Sequence, residues 1–133
     1  MNAVESGLES VIDADRQLNE QVRAGSLRDA YERWYDEDVV MDENGHYAMK
    51  GKAANRARQE AIGQVIRAYG RRLISSAVEG DRSFSEWEFD LEYAGVRYTL
   101  KQVSVREWQN SKVIRERFYY HAGTSGVVAK TRG

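Results

Sequence analysis

Between residues 84 and 93 the chain changes character at every step. Trp87, Phe89, Leu91 and Tyr93 alternate with Glu86, Glu88, Asp90 and Glu92. That period of two predicts a strand with one buried aromatic face and one charged, wet face. Ala94-Gly95 follows as a two-residue hairpin turn. It predicts a second strand over 96–108, a turn near Gln109-Asn110-Ser111, and a third strand over 112–120. A shorter strand is predicted over 73–78, closed by the turn Glu79-Gly80-Asp81.

In the N-terminal half the period lengthens to that of a helix. Leu8, Val11, Ile12, Leu18 and Val22 predict a first helix over 4–24, with Asp15 on the same apolar stripe. Asp15 is expected to be a helix-edge acid paired with a nearby arginine. Gly25 is a C-cap residue and Ser26 the N-cap of a short second helix. The second helix carries Leu27, Ala30, Tyr31, Trp34 and Tyr35 on an aromatic face. Val39-Val40-Met41 reads as a short strand, Glu43-Asn44-Gly45 as a turn and His46-Tyr47-Ala48-Met49 as the return strand. A third helix is predicted over 52–69. Its buried stripe would be Ala54, Ala57, Ala61, Ile62, Val65, Ile66 and Tyr69, with Gly70 ending it.

Register decides which side chains share the aromatic face. The Ala94-Gly95 turn pairs Tyr93 with Val96, hence Leu91 with Tyr98, Phe89 with Leu100, Trp87 with Gln102 and Ser85 with Ser104. The other face then sets Glu92 against Arg97 and Glu88 against Lys101, opposite charges across the ladder. For the next hairpin, a three-residue loop pairs Trp108 with Lys112, facing Ser104 to Glu116 and Gln102 to Phe118. A two-residue loop sets Glu116 beside Val105 instead. The three-residue loop is preferred, because it gathers Ile114, Phe118 and Tyr120 onto the aromatic face. An acid, an amide and a hydroxyl grouped there are costly in a plain core, so the face is read as a cavity wall.

The 133 residues, with formal net charge −1, make one domain over 1–121 and a tail over 122–133 expected to be flexible. The near-neutral balance argues against nucleic acid, whose phosphates reward a basic surplus. The chain has no cysteine, which excludes a disulfide or a thiolate nucleophile, and only two histidines, His46 and His121. No metal-ligand spacing is present. No leader pattern opens the chain and no apolar run reaches the roughly 20 residues of a membrane span. A cytoplasmic protein without cofactor or membrane partner is expected.

The segment Tyr31 to Met41, "YERWYDEDVVM", with Gly45 and Gly51 bracketing a short hairpin, and the segment Gln102 to His121, "QVSVREWQNSKVIRERFYYH", resemble the nuclear transport factor 2-like superfamily. Within it they look most like the SnoaL-like and ketosteroid isomerase-like branch. The resemblance spans about residues 8–121. It implies an α+β cone, a curved antiparallel sheet wrapped around three N-terminal helices and enclosing a pocket. Relatives include isomerases, cyclases, dehydratases, epoxide hydrolases and non-catalytic binding modules.

Carried over residue by residue, the general-base aspartate of ketosteroid isomerases falls on Glu43. Their oxyanion tyrosine falls near Leu18, which has no donor, and their protonated aspartate near Ser104. The acid/base residue of SnoaL-like cyclases can be supplied by Glu116 or Glu43, although Glu116 can alternatively be a partner of Arg106 or Arg115 at the sheet edge. Candidate catalytic residues are therefore Glu43 and Glu116. Tyr31, Tyr35, Trp87, Phe89 and Tyr98 are candidate contacts for a small hydrophobic ligand, as are Gln102, Ser104, Phe118 and Tyr120. His46 is expected to be exposed at the cavity mouth, where an imidazole can shuttle protons. Two functions stay open: acid/base chemistry on an apolar or ring-containing substrate, or a ligand-binding or dimerisation module without chemistry. A homodimer through the outer sheet face is expected, because Thr99, Val103, Val105 and Tyr119 fall among its charges.

Overall fold

A computed structural model of the chain describes residues 3–121, with side chains from Val11 onward. The expected tail and the expected contribution of Leu8 to the first stripe lie outside the described residues. The elements run α1 (Ala3–Arg23), α2 (Leu27–Trp34), β1 (Tyr35–Glu43), β2 (His46–Lys50), α3 (Lys52–Val65), β3 (Ile66–Glu79), β4 (Arg82–Tyr93), β5 (Val96–Gln109) and β6 (Lys112–Tyr120). The strands form one curved, unclosed sheet in the order β2-β1-β6-β5-β4-β3. All pairings are antiparallel except β1 with β6, which is parallel, so the sheet is mixed.

Local chemistry explains the entry into the cone. Gly25, at φ +82, lets the Gly25 N–H bond the Val22 carbonyl and the Ser26 N–H bond the Gln21 carbonyl. This pair of reverse bonds satisfies the last carbonyls of α1 and turns the chain sharply. Ser26 takes the N-cap position of α2, but its hydroxyl makes no capping bond. The closed end of the cone packs Ala14 and Leu18 of α1 and Ala30, Tyr31 and Trp34 of α2 against Tyr35, Val39 and Met41 of β1. Trp108 and Val113 complete that cluster, with Trp108 edge-on to Trp34 at 6.1 Å.

The β4–β5 register is the one the Ala94-Gly95 turn dictates, from Tyr93 opposite Val96 to Ser85 opposite Ser104. The β5–β6 register differs from both sequence readings. Asn110 and Ser111 alone form the turn, at φ 52 and 61, pairing Gln109 with Lys112. A bulge beside Ile114 then shifts the ladder, so Arg106 faces Glu116 and Ser104 faces Phe118. A bulge adds one residue to one strand. The short turn and the added residue together preserve parity. Glu116 stays on the inner face, but its neighbour across the ladder is Arg106 rather than Ser104.

The third helix is also shorter than its pattern. Helix ends at Val65, and Ile66 onward is strand, paired with β4 from Tyr93 down to Arg82. The upper half of β4 needs a partner for its backbone groups, and that non-local demand overrides a helical spacing that residues 62–69 satisfy equally well. The expected apolar stripe of α3 is not buried. Ala54, Ala57 and Ala61 are exposed, and so are Ile62, Val65 and Tyr69. Only Lys52 and Asn55 of α3 are buried. The Asn55 amide donates to the Met49 and Gly51 carbonyls at 2.9 Å each, and Lys52 Nζ donates to the Glu32 carbonyl at 2.8 Å. The helix is thus pinned at its N-terminal end by polar bonds, and its C-terminal half borders an open space.

Candidate functional site

The inner sheet face divides into two parts. Towards α1 it is sealed: Ser83, Ser85, Trp87, Ser104, Arg106 and Glu116 are all buried. Towards the opposite end of the strands it opens, and Phe89, Tyr98, Leu100, Gln102, Phe118 and Tyr120 are only half-buried. The helices and this open part of the sheet surround a wide-mouthed concavity of about 1790 Å³. Tyr31, Tyr35, Trp87, Phe89, Tyr98, Gln102, Ser104, Phe118 and Tyr120 all border it, as do Glu43 and Glu116. Trp87 and Phe89 stack at 5.5 Å and Tyr31 lies 4.7 Å from Tyr35, so the aromatics brace one another while presenting surface to the concavity.

A charged network fills the sealed end. Arg106, 3% exposed, donates from Nε to Glu116 Oε2 at 2.8 Å. From Nη1 it donates to Asp15 Oδ1 at 2.9 Å and to Asn19 Oδ1 at 2.7 Å. Tyr35 Oη donates to the other Glu116 oxygen. Ser83 Oγ donates to Asp15 at 2.6 Å and accepts from Trp108 Nε1 at 3.0 Å. The Asn19 amide donates to Ser85 Oγ at 3.0 Å. Two carboxylates thus share one guanidinium, and neutral donors from Tyr35, Ser83 and Asn19 add further bonds, which is what makes buried charge tolerable. Burial alone would weaken the charge on Arg106, but Glu116, Tyr35 and Asp15 outweigh it and hold the guanidinium even more firmly protonated. Burial, reinforced by Glu116, pushes the Tyr35 phenol well above its ordinary range. Tyr31 is pushed up to about 12 by burial against the pull of Arg56, and its Oη donates to the Lys52 carbonyl at 2.8 Å.

Asp15 therefore does find an arginine, but in the core rather than at a helix edge. Arg106 is the partner that Glu116 takes, in the core rather than at a sheet edge. Its signal was parity: it stands two and four residues from Ser104 and Gln102, on the inward face of its strand. Three charged residues on inward positions of three different elements, with opposite signs available, imply a buried cluster.

Glu43 is placed differently. It ends β1, half-buried, after an irregularity in the β1–β2 pairing between Met41 and Glu43, and opposite Phe118 on β6. Its carboxylate borders the concavity and has no hydrogen bond or ion pair among the described residues. The side chains of Gln102, Ser104 and Tyr98 are likewise without a hydrogen bond there, and burial alone raises Tyr98 above its ordinary value. His46 is exposed at the rim, as expected, edge-on to Tyr47. Among the described residues no cluster of histidine and acidic side chains suits a metal ion, and no helix is long and apolar enough to cross a membrane.

Three helices, a curved mixed sheet and the concavity between them give the chain the α+β cone fold seen in solved SnoaL-like and nuclear transport factor 2-like proteins. A protein from Mesorhizobium loti, proposed to be a SnoaL-like polyketide cyclase, superposes with TM-score 0.77 at 23% identity, over 83% of this chain and 98% of its own. A nuclear transport factor 2-like protein of unknown function from Burkholderia xenovorans superposes at 0.66 with 24% identity, over 84% and 83%. An LEH-like epoxide hydrolase from M. tuberculosis superposes at 0.72 with 13% identity, over 93% and 90%. No protein-family model matches the chain, and no curated protein matches it.

Proposed function

We propose that the chain is a small acid/base enzyme in which Glu43 takes a proton from a carbon acid held in the concavity. The observation that carries this reading is the Glu43 carboxylate: half-buried beside Phe118, bordering the concavity, and unpartnered among the described residues. A base needs a free lone pair within reach of substrate, and Glu43 has one. Glu116, the other candidate, has both oxygens engaged by Arg106 and Tyr35, so its role in this reading is to hold the sealed end of the cone. Gln102, Ser104 and the Tyr98 hydroxyl have donors to spare for an oxygen on which negative charge develops. The half-buried Phe89, Leu100 and Phe118 suit an apolar or ring-containing molecule. Structural neighbours are named as an epoxide hydrolase and, provisionally, as a polyketide cyclase and an isomerase, and reactions of these kinds can run by proton transfer.

The test uses a probe that asks only for a base in an apolar cavity, 5-nitrobenzisoxazole. The base takes its C3 proton as the N–O bond breaks, releasing a coloured cyanonitrophenolate. The wild-type chain should accelerate this over acetate at equal carboxylate concentration. Glu43→Gln should fall to the buffer rate. Wild-type protein no faster than buffer would leave the alternative, a binding module without chemistry.

The outer sheet face belongs to the same proposal as a homodimer contact. Val103 and Tyr119, 37% and 44% exposed, sit there beside the ion pairs of Glu107 with Arg117 and of Glu88 with Arg72. Sedimentation at micromolar concentration should give a dimer, and a monomer would remove this part.

A further inference from the structure

The arginines that border the concavity are not alike. Arg106 is held by Asp15 and Glu116. Arg56 is bidentate on Glu32, at 2.6 and 3.0 Å. Arg58 donates to the Tyr47 and Met41 carbonyls and to Asn55. Arg28 lies 3.8 Å from Glu60. Arg71 has none of this. It borders the concavity half-buried, with no hydrogen bond or ion pair among the described residues.

Its position is set by the sheet. The β3–β4 ladder is irregular between Ala68 and Gly70, after which Arg71 faces Phe89, itself opposite Leu100. Arg71 thus ends a row of inward apolar side chains. Its guanidinium reaches the α1–α2 connection, where a Cβ on Gly25 would lie 3.1 Å from Nη1. That connection does not neutralise it. No hydrogen bond joins it to that connection, where the Gln21 and Val22 carbonyls accept from Ser26 and Gly25. A guanidinium is permanently charged and carries five donors in a planar fork suited to carboxylate-like groups. Half-removed from water and given no acceptor among the described residues, it is left able to take an anion from outside.

We infer that Arg71 is an anion-recognition residue, and that the molecule bound in the concavity is an elongated apolar acid carrying a carboxylate or comparable oxyanion. This rests on the reading of the concavity as a binding site. Arg71 on β3 and Glu43 on β1 are four inter-strand steps apart, roughly 19 Å across the strands, and offset by about four residues, roughly 13 Å, along them. The anionic end sits at Arg71, the apolar body lies over Phe89, Leu100 and Tyr98, and the reacting carbon reaches Glu43. An anion held at that distance raises no charge conflict with the Glu43 carboxylate.

Two dyes with one ring skeleton test this. N-phenyl-1-naphthylamine is neutral, and 8-anilino-1-naphthalenesulfonate is the same molecule with a sulfonate added. Fluorescence titration of wild-type protein should give one site per chain for both, with the sulfonate bound more tightly. Arg71→Met should weaken the sulfonate about tenfold and leave the neutral dye within about twofold. Arg71→Lys should recover part of the loss, and Arg16→Gln, a change on the exposed face of α1, should alter neither dye. Retained binding of the neutral dye certifies that the variant is folded. An Arg71→Met chain that binds the sulfonate unchanged, or weakens both dyes equally, overturns the anion site while leaving the Glu43 reading intact. Failure of both dyes to bind wild type overturns the concavity as a binding site and the anion site with it, and failure of the sulfonate alone overturns the anion site.

Discussion

The two ends of the inner sheet face are built from the same kinds of residue and used in opposite ways. At the sealed end, Asp15, Asn19, Arg106, Glu116 and Tyr35 consume one another's hydrogen bonds. At the open end, Glu43, Gln102 and Tyr98 border the concavity with no hydrogen-bond partner among the described residues. Glu116 and Glu43 both stand on inward positions of neighbouring strands. What separates a structural carboxylate from a chemical one is its partner, not its burial. A buried carboxylate such as Glu116 has both oxygens engaged and is held away from a substrate. A half-buried one beside a phenylalanine, such as Glu43, is not so held.

The contrast breaks most visibly at Arg106. Replacing it with Met leaves Asp15 and Glu116 buried without their shared cation, a loss of about 3–5 kcal/mol. Urea unfolding should find the variant near the limit of folding. Glu116→Gln comes next. An amide presents one acceptor and one donor where Arg106 and Tyr35 each need an acceptor, so about 1–3 kcal/mol should go, read by the same titration.

Alkaline pH probes the same end more gently. Tyr31 and Tyr35 keep their protons in the fold at a pH where the unfolded chain releases them. Above about pH 10 the unfolded state therefore binds fewer protons than the native state, and stability falls as pH rises. For Tyr31 the loss runs between about 10 and about 12. Tyr31→Phe should make the decline shallower over that window, whatever it does to stability at neutral pH. A decline of unchanged slope would contradict the assignment.

A smaller effect lies outside the site. Ala94 sits in the β4–β5 turn at φ 51, a region costly for a residue with a Cβ. Ala94→Gly should stabilise by about 1 kcal/mol, measured as a rise in melting temperature with the inner face undisturbed.

These contrasts also explain how far the chain could be read unaided. The β4–β5 hairpin was legible because Ala94-Gly95 marks its turn and Glu88 opposite Lys101 checks its register. The β5–β6 hairpin was not, because Asn110 and Ser111 adopt left-handed conformations with no glycine to announce them, and the compensating bulge carries no residue signal. The end of α3 was misread because Ile62, Val65, Ile66 and Tyr69 fit a helix as well as a strand, and only the distant β4 decides. Glu43 could be nominated from its turn and its resemblance, and the bordering residues from parity. That Glu116 is clamped and Glu43 is free depends on Arg106, Asp15 and Tyr35 meeting from three elements, which no local pattern records.

Glu43→Gln should be nearly silent in stability, within about 0.5 kcal/mol, and this sets up the most direct test. The proton-abstraction rate on 5-nitrobenzisoxazole is measured for Glu43→Gln and Glu116→Gln, each corrected for its folded fraction. The account predicts that Glu43→Gln loses the rate while keeping its stability, and that Glu116→Gln keeps the rate per folded molecule. A Glu43→Gln chain that stays fast, or a folded Glu116→Gln chain that is slow, would contradict it.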